Sequence, residues 1–232
     1  MYKKRIVIHQ PDFMPYLGFF DRFRNADLYI ALDSVQYVNS SRGWTNRDKV
    51  KSVNGEKWLS VSVEKTNRST LINEVVISKN VDWKKNHLSI IRENYRSSPY
   101  YDEVIFYINN IYDREYKYLK DLNIDLIKFL MGSLNLEVPW IWSSDLKISG
   151  QKNELLINII KSVNGNQYLS GVGAKEYLNE EDFRKAGIEV IWQDFKHPIY
   201  RQNYTGFIPY LSSIDMLLNC GFKNSQEIMG GM

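Results

Sequence analysis

The chain of 232 residues has one cysteine, Cys220, and only three histidines. A single cysteine excludes an internal disulfide and a cysteine-based zinc site, and it fits a reducing compartment. The histidines stand far apart in the sequence, at His9, His87 and His197, and form no metal-ligand motif. We therefore predict no metal site.

Long apolar runs are also missing. The first five residues are followed by only three apolar residues before His9. That run is too short for the core of a signal peptide or for a membrane span, and no later segment reaches spanning length. The sequence therefore predicts a cytoplasmic protein that does not insert into membranes.

Neither sign of charge dominates the composition. Lys and Arg number 30 against 27 Asp and Glu, which gives a net charge of +3. This is far from the concentrated basic stripe that duplex nucleic acid requires, whereas a small anionic substrate is compatible with it. Aromatic residues make up 14% of the chain. Such side chains build cores, and they also suit the surfaces of sugars and nucleotides.

Short β-branched runs alternate with helical patterns over much of the chain, and the length suits one domain over residues 1–232. This alternation predicts an α/β fold with a mostly parallel, Rossmann-like sheet and flanking helices. The predicted strands are residues 5–8, 28–32, 138–142, 167–169 and 188–192.

Three other segments interrupt this alternation. A β-hairpin is predicted at about 56–78, from an alternating strand at 58–64 and a partner strand at 71–78. A helical segment predicted at about 82–134 is divided at Pro99. A last helix is predicted over 210–219, ending at Gly221, with a loosely held tail after it. The apolar stripe over 100–118 predicts helix packing and leaves a homodimer contact open.

Several separated motifs resemble those of the WbqC-like family and cover essentially the whole chain. The N-terminal motifs are HQP at 9–11, PYLGFF at 15–20, AD at 26–27, DSVQY at 33–37 and NR at 46–47. The C-terminal motifs are YLSGVGAK at 168–175, FKHPIYRQ at 195–202 and LSSIDMLLN at 211–219. Ser34 departs from the pattern, because a second acidic residue is expected there.

The resemblance implies a place in the biosynthesis of O-antigen, lipopolysaccharide or related surface glycans. One role it implies is a transferase that adds an acyl or aminoacyl group, such as glycyl, to the amine of a nucleotide-linked amino sugar. The donor is left open between an activated acyl compound, an acid activated by ATP with Mg²⁺, and an aminoacyl-tRNA. An alternative is a non-catalytic module that binds a nucleotide sugar or a partner transferase in the same pathway.

Two of the candidate catalytic residues follow strands at the start of the chain. His9 follows the first predicted strand and Asp33 follows the second. Both would stand at the carboxyl edge of a parallel sheet, where open α/β folds bind ligands. An ordinary histidine pKa near 6.5 would allow acid–base work at neutral pH. Simpler roles are a local turn hydrogen bond for His9 and a cap for Asp33.

His197 is the third candidate catalytic residue, at the end of a later strand. With Tyr200 and Gln202 it would form a group capable of acid–base and binding roles, although packing on aromatic rings would also explain it. Gln10 and Gln36 are candidate donors for a developing oxyanion.

Phosphate contacts are predicted at two places. Arg47 could fork onto a diphosphate, or it could be a solvated surface charge. The glycine-rich stretch after residue 169 has the composition of a backbone cradle for phosphate, although such strand exits also occur without a ligand. Its candidate contacts are Ser170, Gly171, Gly173 and Lys175. The predicted active centre requires that the end of the first strand and this glycine turn lie close together.

Overall fold

The computed structural model describes residues 3–39 and 43–231. Its strands are β1 (Arg5–His9), β2 (Leu28–Ala31), β3 (Arg47–Ser52), β4 (Gly55–Ser60), β5 (Trp140–Trp142), β6 (Gln167–Ser170) and β7 (Glu189–Trp192). Its helices are α1 (Leu17–Asp21), α2 (Trp83–Tyr95), α3 (Tyr101–Tyr112), α4 (Leu119–Ser133), α5 (Lys152–Ser162), α6 (Glu180–Lys185) and α7 (Ser213–Gly230).

The chain divides into two compact units. Unit 1 consists of Met1–Gln10, Phe19–Ser34 and Glu137–Phe195, and unit 2 consists of Pro11–Gly18, Val35–Leu136 and Lys196–Met232. The prediction of one domain over residues 1–232 stays a prediction.

Unit 1 is built on a five-stranded sheet with the order β5-β2-β1-β6-β7, in which every neighbouring pair is parallel. Such strands need helical crossovers, and the α/β fold predicted from the sequence is confirmed. The central strand reads Arg-Ile-Val-Ile-His, and its three inner residues are buried because both faces of the sheet are covered.

Alternation along β1 separates the two faces of this sheet. Ile6 and Ile8 join an apolar cluster with side chains of α5 and α6, including Ile160 and Phe183. On strands successive side chains point to opposite faces, so His9 lies on the other face. There its ring meets Phe19 of α1 edge to face, with 5.1 Å between the ring centroids. A 3₁₀ turn, Arg22–Asn25, follows α1 directly.

Unit 2 is mainly helical. Helices α2, α3 and α4 cover the stretch for which the sequence predicts helices, and Pro99 lies between α2 and α3 as expected. Helix α7 packs against α3 and α4, and the antiparallel pair β3–β4 contacts α2 and α7.

The hairpin lies earlier in the chain than we predicted. Strand β3 pairs with β4 over 47–60, and the predicted partner strand at 71–78 forms only a 3₁₀ turn and isolated bridges such as Val63 with Ile77. The alternating residues were recognised correctly at Trp58–Ser60, but their partner precedes them, across a turn at Gly55 with φ +101°.

The end of the chain is helical where we predicted a loose tail. Helix α7 continues to Gly230 after a kink at Gly221, where φ is +74°. The continuation is held by burial, since Ser225 and Met229 are buried and Phe222 contacts Tyr107 and Phe129. The glycine was interpreted as a stop, whereas tertiary contacts carry the helix beyond it.

Candidate functional site

The carboxyl edge of the unit 1 sheet contains a topological switch point. From β1 the chain moves outward through β2 to β5 on one side, and it returns to the other side of β1 with β6 and then β7. Strand order therefore reverses between β1 and β6, where open α/β sheets bind ligands. His9 ends β1 and Ser170 ends β6. The two regions that the sequence analysis required to be close thus lie on neighbouring strands, at the same edge.

His9 is held at this edge by its own backbone and by Phe19. Its Nδ1 lies 3.0 Å from the carbonyl oxygen of Gln10. A carbonyl oxygen only accepts, so Nδ1 carries the hydrogen and Nε2 is the nitrogen with the lone pair. The ring is partly buried. This arrangement presents a neutral imidazole in one defined tautomer.

The pKa of His9 differs from the ordinary value that we expected. Burial of the ring, and to a smaller extent the positive charge of Arg22, together lower this pKa to about 3, against a smaller opposing effect of the bond to Gln10. Protonation would place a second positive charge in a poorly solvated position. His9 is therefore neutral throughout the physiological pH range.

Arg22 is the residue that our sequence analysis missed. It begins the 3₁₀ turn after α1 and is only 5% exposed. Its guanidinium lies 5.6 Å from the ring centroid of Phe19, and its buried Nε has no hydrogen-bond partner among the residues that the structure describes. Arg22 follows Phe19 by three residues, which puts both on one face of a helical segment. That spacing was the available sign that this arginine faces inward.

The carboxylate next to Arg22 in sequence is engaged elsewhere. Asp21 accepts a hydrogen bond of 2.6 Å from Nε2 of Gln193, and it lies 4.0 Å from Arg24. Within residues 3–39 and 43–231, no ion pair to Arg22 is formed. Arg22 is therefore a buried positive charge at the edge of the sheet, and no carboxylate of the described residues pairs with it.

The glycine-rich exit of β6 meets Arg22. A Cβ built on Gly171 would lie 3.9 Å from an Nη atom of Arg22 and 3.8 Å from Oε1 of Gln193. Both distances are ordinary van der Waals contacts, so the glycine stands directly beside the guanidinium with no side chain between them. Ser170 is buried at the end of β6, beside Gly171.

The remaining predicted members of this loop turn outward. Gly173 and Lys175 are exposed, and both belong to the 3₁₀ turn Val172–Glu176. Nζ of Lys175 lies 5.3 Å from the ring centroid of Trp192. Their binding roles stay predictions.

Asp33 is at the predicted edge, but its carboxylate is already bonded within unit 1. Ser143 Oγ and the backbone N–H of Ser144 donate to Oδ1, at 3.0 and 2.9 Å, and Ser144 Oγ donates to Oδ2 at 2.8 Å. Asp33 is fully buried, and Ser34 bonds to the same Ser143 hydroxyl. The carboxylate thus fixes the chain after β5, as in the simpler capping role, and a catalytic role stays a prediction.

Two predicted binding residues of unit 2 belong to a buried network around Asp215. The Tyr200 hydroxyl and the Gln202 amide donate to Oδ2 of Asp215, at 2.8 and 2.9 Å, and Tyr95 donates to Oδ1 at 2.6 Å. Gln202 also bonds to both backbone groups of Ile208. The polar atoms of Tyr200 and Gln202 therefore have structural partners, and substrate contacts from them stay predictions.

His197 of unit 2 stands among aromatic rings. Its Nδ1 is 2.8 Å from the carbonyl oxygen of Pro198, and its ring lies 5.2 Å from that of Tyr210, centroid to centroid. Burial lowers its pKa from the ordinary histidine value. Gln36, also in unit 2, is exposed and forms an isolated bridge with Leu71. Catalysis by His197 and donation by Gln36 stay predictions.

Arg47 lies against an aromatic ring on the surface of the hairpin. Its guanidinium lies 4.3 Å from the ring centroid of Trp58, and Nε donates to the Gly43 carbonyl at 3.3 Å. Trp44 lies beside Trp58 at 5.5 Å, and both rings are exposed. This surface of the hairpin is suited to stacking a planar or sugar ring, and phosphate binding by Arg47 stays a prediction.

The part of the chain that the structure describes, residues 3–39 and 43–231, contains neither a metal-ligand cluster nor a membrane-spanning helix. No group of three or more His, Cys, Asp or Glu side chains is placed to hold a metal ion there. No helix in that part is both long enough and apolar enough to cross a membrane.

Comparison with known proteins gives the following similarities. The model of the WbqC-like protein family matches residues 10–227. The uncharacterized protein Rv1507c of Mycobacterium tuberculosis is 30% identical over 221 residues, which cover 94% of each chain. No solved structure gives a significant match.

Proposed function

Since this chain belongs to the WbqC-like protein family, we propose that it transfers an acyl or aminoacyl group, such as glycyl, to the amine of a nucleotide-linked amino sugar. The reaction would serve the biosynthesis of O-antigen, lipopolysaccharide or a related surface glycan. The observation that carries the proposal is the neutral imidazole of His9 at the switch point, with its tautomer set by the Gln10 carbonyl.

In the proposed reaction the amine nitrogen attacks the acyl carbonyl carbon. A C–N bond forms, the bond from the carbonyl carbon to the leaving group breaks, and one proton moves from nitrogen to the leaving group. Nε2 of His9 would take this proton as the amine becomes acidic on attack, and would then pass it on. Because its pKa is low, His9 is a weak base here, and the transfer draws on the acidity that the amine gains on attack.

The switch point would hold the phosphates of the nucleotide, with Ser170 and Gly171 on the β6 side. Asp33 or His197 as a second acid–base residue, and Arg47 as a further phosphate contact, belong to the proposal as the sequence suggested them. The donor is an activated acyl compound, an acid with ATP and Mg²⁺, or an aminoacyl-tRNA.

The test incubates purified protein with nucleotide-linked amino sugars and each class of donor, and measures the mass of the sugar product. We expect the mass of the nucleotide sugar to increase by one acyl group minus one hydrogen. His9→Gln should abolish it. His87→Gln is the matched control, because His87 is buried in unit 2 and bonds Tyr112 through Nδ1. Equal product from both folded variants would remove the role of His9.

A second candidate function is a non-catalytic module that binds the nucleotide sugar or a partner transferase. The low pKa of His9 and the internally bonded carboxylate of Asp33 favour it, because both reduce the acid–base capacity of the edge. Binding of the nucleotide sugar without turnover for any donor would select this function. If a charged tRNA is the donor, its binding should weaken steeply with added salt.

A further inference from the structure

We propose that Arg22 and the backbone at Gly171 form a binding site for a phosphate group, at the carboxyl ends of β1 and β6. Neither residue type alone would support a site. What supports it is the combination of a buried guanidinium, whose Nε has no hydrogen-bond partner among the described residues, with a glycine that places no side chain beside it.

The burial of Arg22 deprives its guanidinium of water. A guanidinium that is 5% exposed has lost most of its hydration, and this loss must be offset by hydrogen bonds or by an opposite charge. The only offset that the described residues provide is the face of the Phe19 ring, at 5.6 Å. Such a contact compensates a small part of the lost hydration. A bound anion would supply the rest.

None of the neighbouring titratable side chains named below neutralises the charge of Arg22. Asp21 is adjacent in sequence, yet its carboxylate bonds Gln193 and lies near Arg24. His9, the nearest titratable neighbour on β1, is neutral, and Tyr168 on β6 keeps its proton because burial raises its pKa. The positive charge of Arg22 therefore lowers the pKa of His9 on β1 and opposes the rise in the pKa of Tyr168 on β6, and neither residue neutralises it.

The geometry points to phosphate in particular. Arginine presents parallel N–H groups that match two oxygens of a phosphate. A glycine at a strand exit lets a bulky tetrahedral group approach the backbone closely, and the switch point of a parallel sheet is where such groups bind.

This inference deepens the proposed function, since the phosphate would be that of the nucleotide-linked sugar. It does not depend on acyl transfer, because a phosphate site serves the binding module equally. Binding and turnover are therefore measured separately. If phosphate binding depends on Arg22 but no turnover is found, the phosphate site is supported and the transferase function is removed. If the wild type shows turnover but Arg22→Met binds phosphate as well as the wild type does, the transferase function is supported and the phosphate site is removed.

The experiment is calorimetric titration with four probes, namely inorganic phosphate, uridine diphosphate, uridine and acetate. We expect binding of the first two only. Arg22→Met, which keeps an unbranched apolar stem, should weaken it by about 10- to 100-fold, because charge-assisted hydrogen bonds are lost. Gly171→Ala should also weaken it while folding normally, since its Cβ meets nothing closer than 3.8 Å. Arg184→Met is the charge control, because Arg184 is exposed and pairs with Glu181.

A second readout is the NMR titration of His9. A phosphate on Arg22 removes the positive potential at the ring, so added phosphate should raise the pKa of His9, and Arg22→Met should raise it without phosphate. The proposal is overturned if the wild type binds no phosphate at millimolar concentration, if Arg22→Met and Arg184→Met bind it equally, or if acetate binds as well as phosphate does.

Discussion

Arg22 of unit 1 and Asp215 of unit 2 are both buried charged residues, and they differ in their partners. Asp215 is fully buried and receives hydrogen bonds from Tyr95, Tyr200 and Gln202. Arg22 is nearly as buried, and its Nε has no partner in the described residues. A completed set of internal partners indicates a structural role, whereas the incomplete set of Arg22 is the observation on which the proposed phosphate site rests.

The network of Asp215 extends through several segments of unit 2. The backbone N–H of Lys51 donates to the Tyr95 hydroxyl at 2.7 Å, and the ammonium of Lys51 bonds the Gly206 carbonyl. Burial and the nearby carboxylate raise the pKa values of Tyr95 and Tyr200. Both hydroxyls thus remain donors at any physiological pH, and the network joins β3, α2 and α7.

The largest effect should come from breaking the completed set. Asp215→Ala leaves three donors without their acceptor, and we expect the free energy of unfolding to fall by about 3–5 kcal/mol. Urea unfolding measures this. Asp125→Ala is the control, since Asp125 is partly exposed, pairs with the exposed Arg114, and should cost much less. Similar losses in the two variants would remove the distinction between completed and incomplete sets.

The next effect concerns pH. His9 is neutral in the folded protein down to about pH 3, and an unfolded histidine takes a proton near pH 6.5. Below pH 6.5 the unfolded state therefore binds more protons, so the stability that neutral His9 contributes is lost as pH falls toward 3. Relative to His9→Gln, the wild type should lose stability between pH 6.5 and 4. Unfolding curves of both proteins measure it, and parallel pH profiles would contradict it.

A pair of glycines separates packing from binding within unit 1. A Cβ on Gly165 would lie 2.5 Å from Ile6 and 2.9 Å from Ile160, so Gly165→Ala should destabilise by about 1–3 kcal/mol. Gly171→Ala meets no close atom and should change stability by less than about 0.5 kcal/mol. Thermal unfolding compares them. An equally destabilised Gly171→Ala would mean that this exit is ordinary packing.

Removing the buried charge of Arg22 itself should not destabilise the protein. Arg22→Met is expected to leave the free energy of unfolding unchanged or to raise it by up to about 2 kcal/mol, because a costly buried charge is replaced by an apolar side chain. Added phosphate should then stabilise the wild type and leave the variant unaffected. A loss above about 2 kcal/mol in the variant would show that protein groups already compensate Arg22.

Local patterns predicted most of the sheet and the positions of its strand ends. His9, Asp33 and Ser170 were correctly placed at one edge because apolar runs end just before or at these residues, and parallel strands align their carboxyl ends. The burial of Arg22 could not be read in this way, because it depends on which face of a short helical segment packs on the sheet.

The misplaced elements have the same kind of cause. The alternation near Trp58 did not state which neighbour in sequence would pair with it, and Gly55 was not recognised as a turn. The internal bonding of Tyr200 and Gln202 depends on Asp215, which the sequence motif contains but does not explain.

The kink at Gly221 has a consequence for cooperativity. Any side chain there would clash with the Tyr100 ring, since a Cβ would lie 2.6 Å from it, and the positive φ interrupts the regular hydrogen-bond ladder of α7. The residues after the kink are thus connected to the first half of α7 through Gly221, and side-chain contacts such as that of Phe222 with Phe129 keep them packed. We therefore expect the final turns of α7 to open as a separate unit, with amides that exchange with solvent while the first half of the helix stays folded.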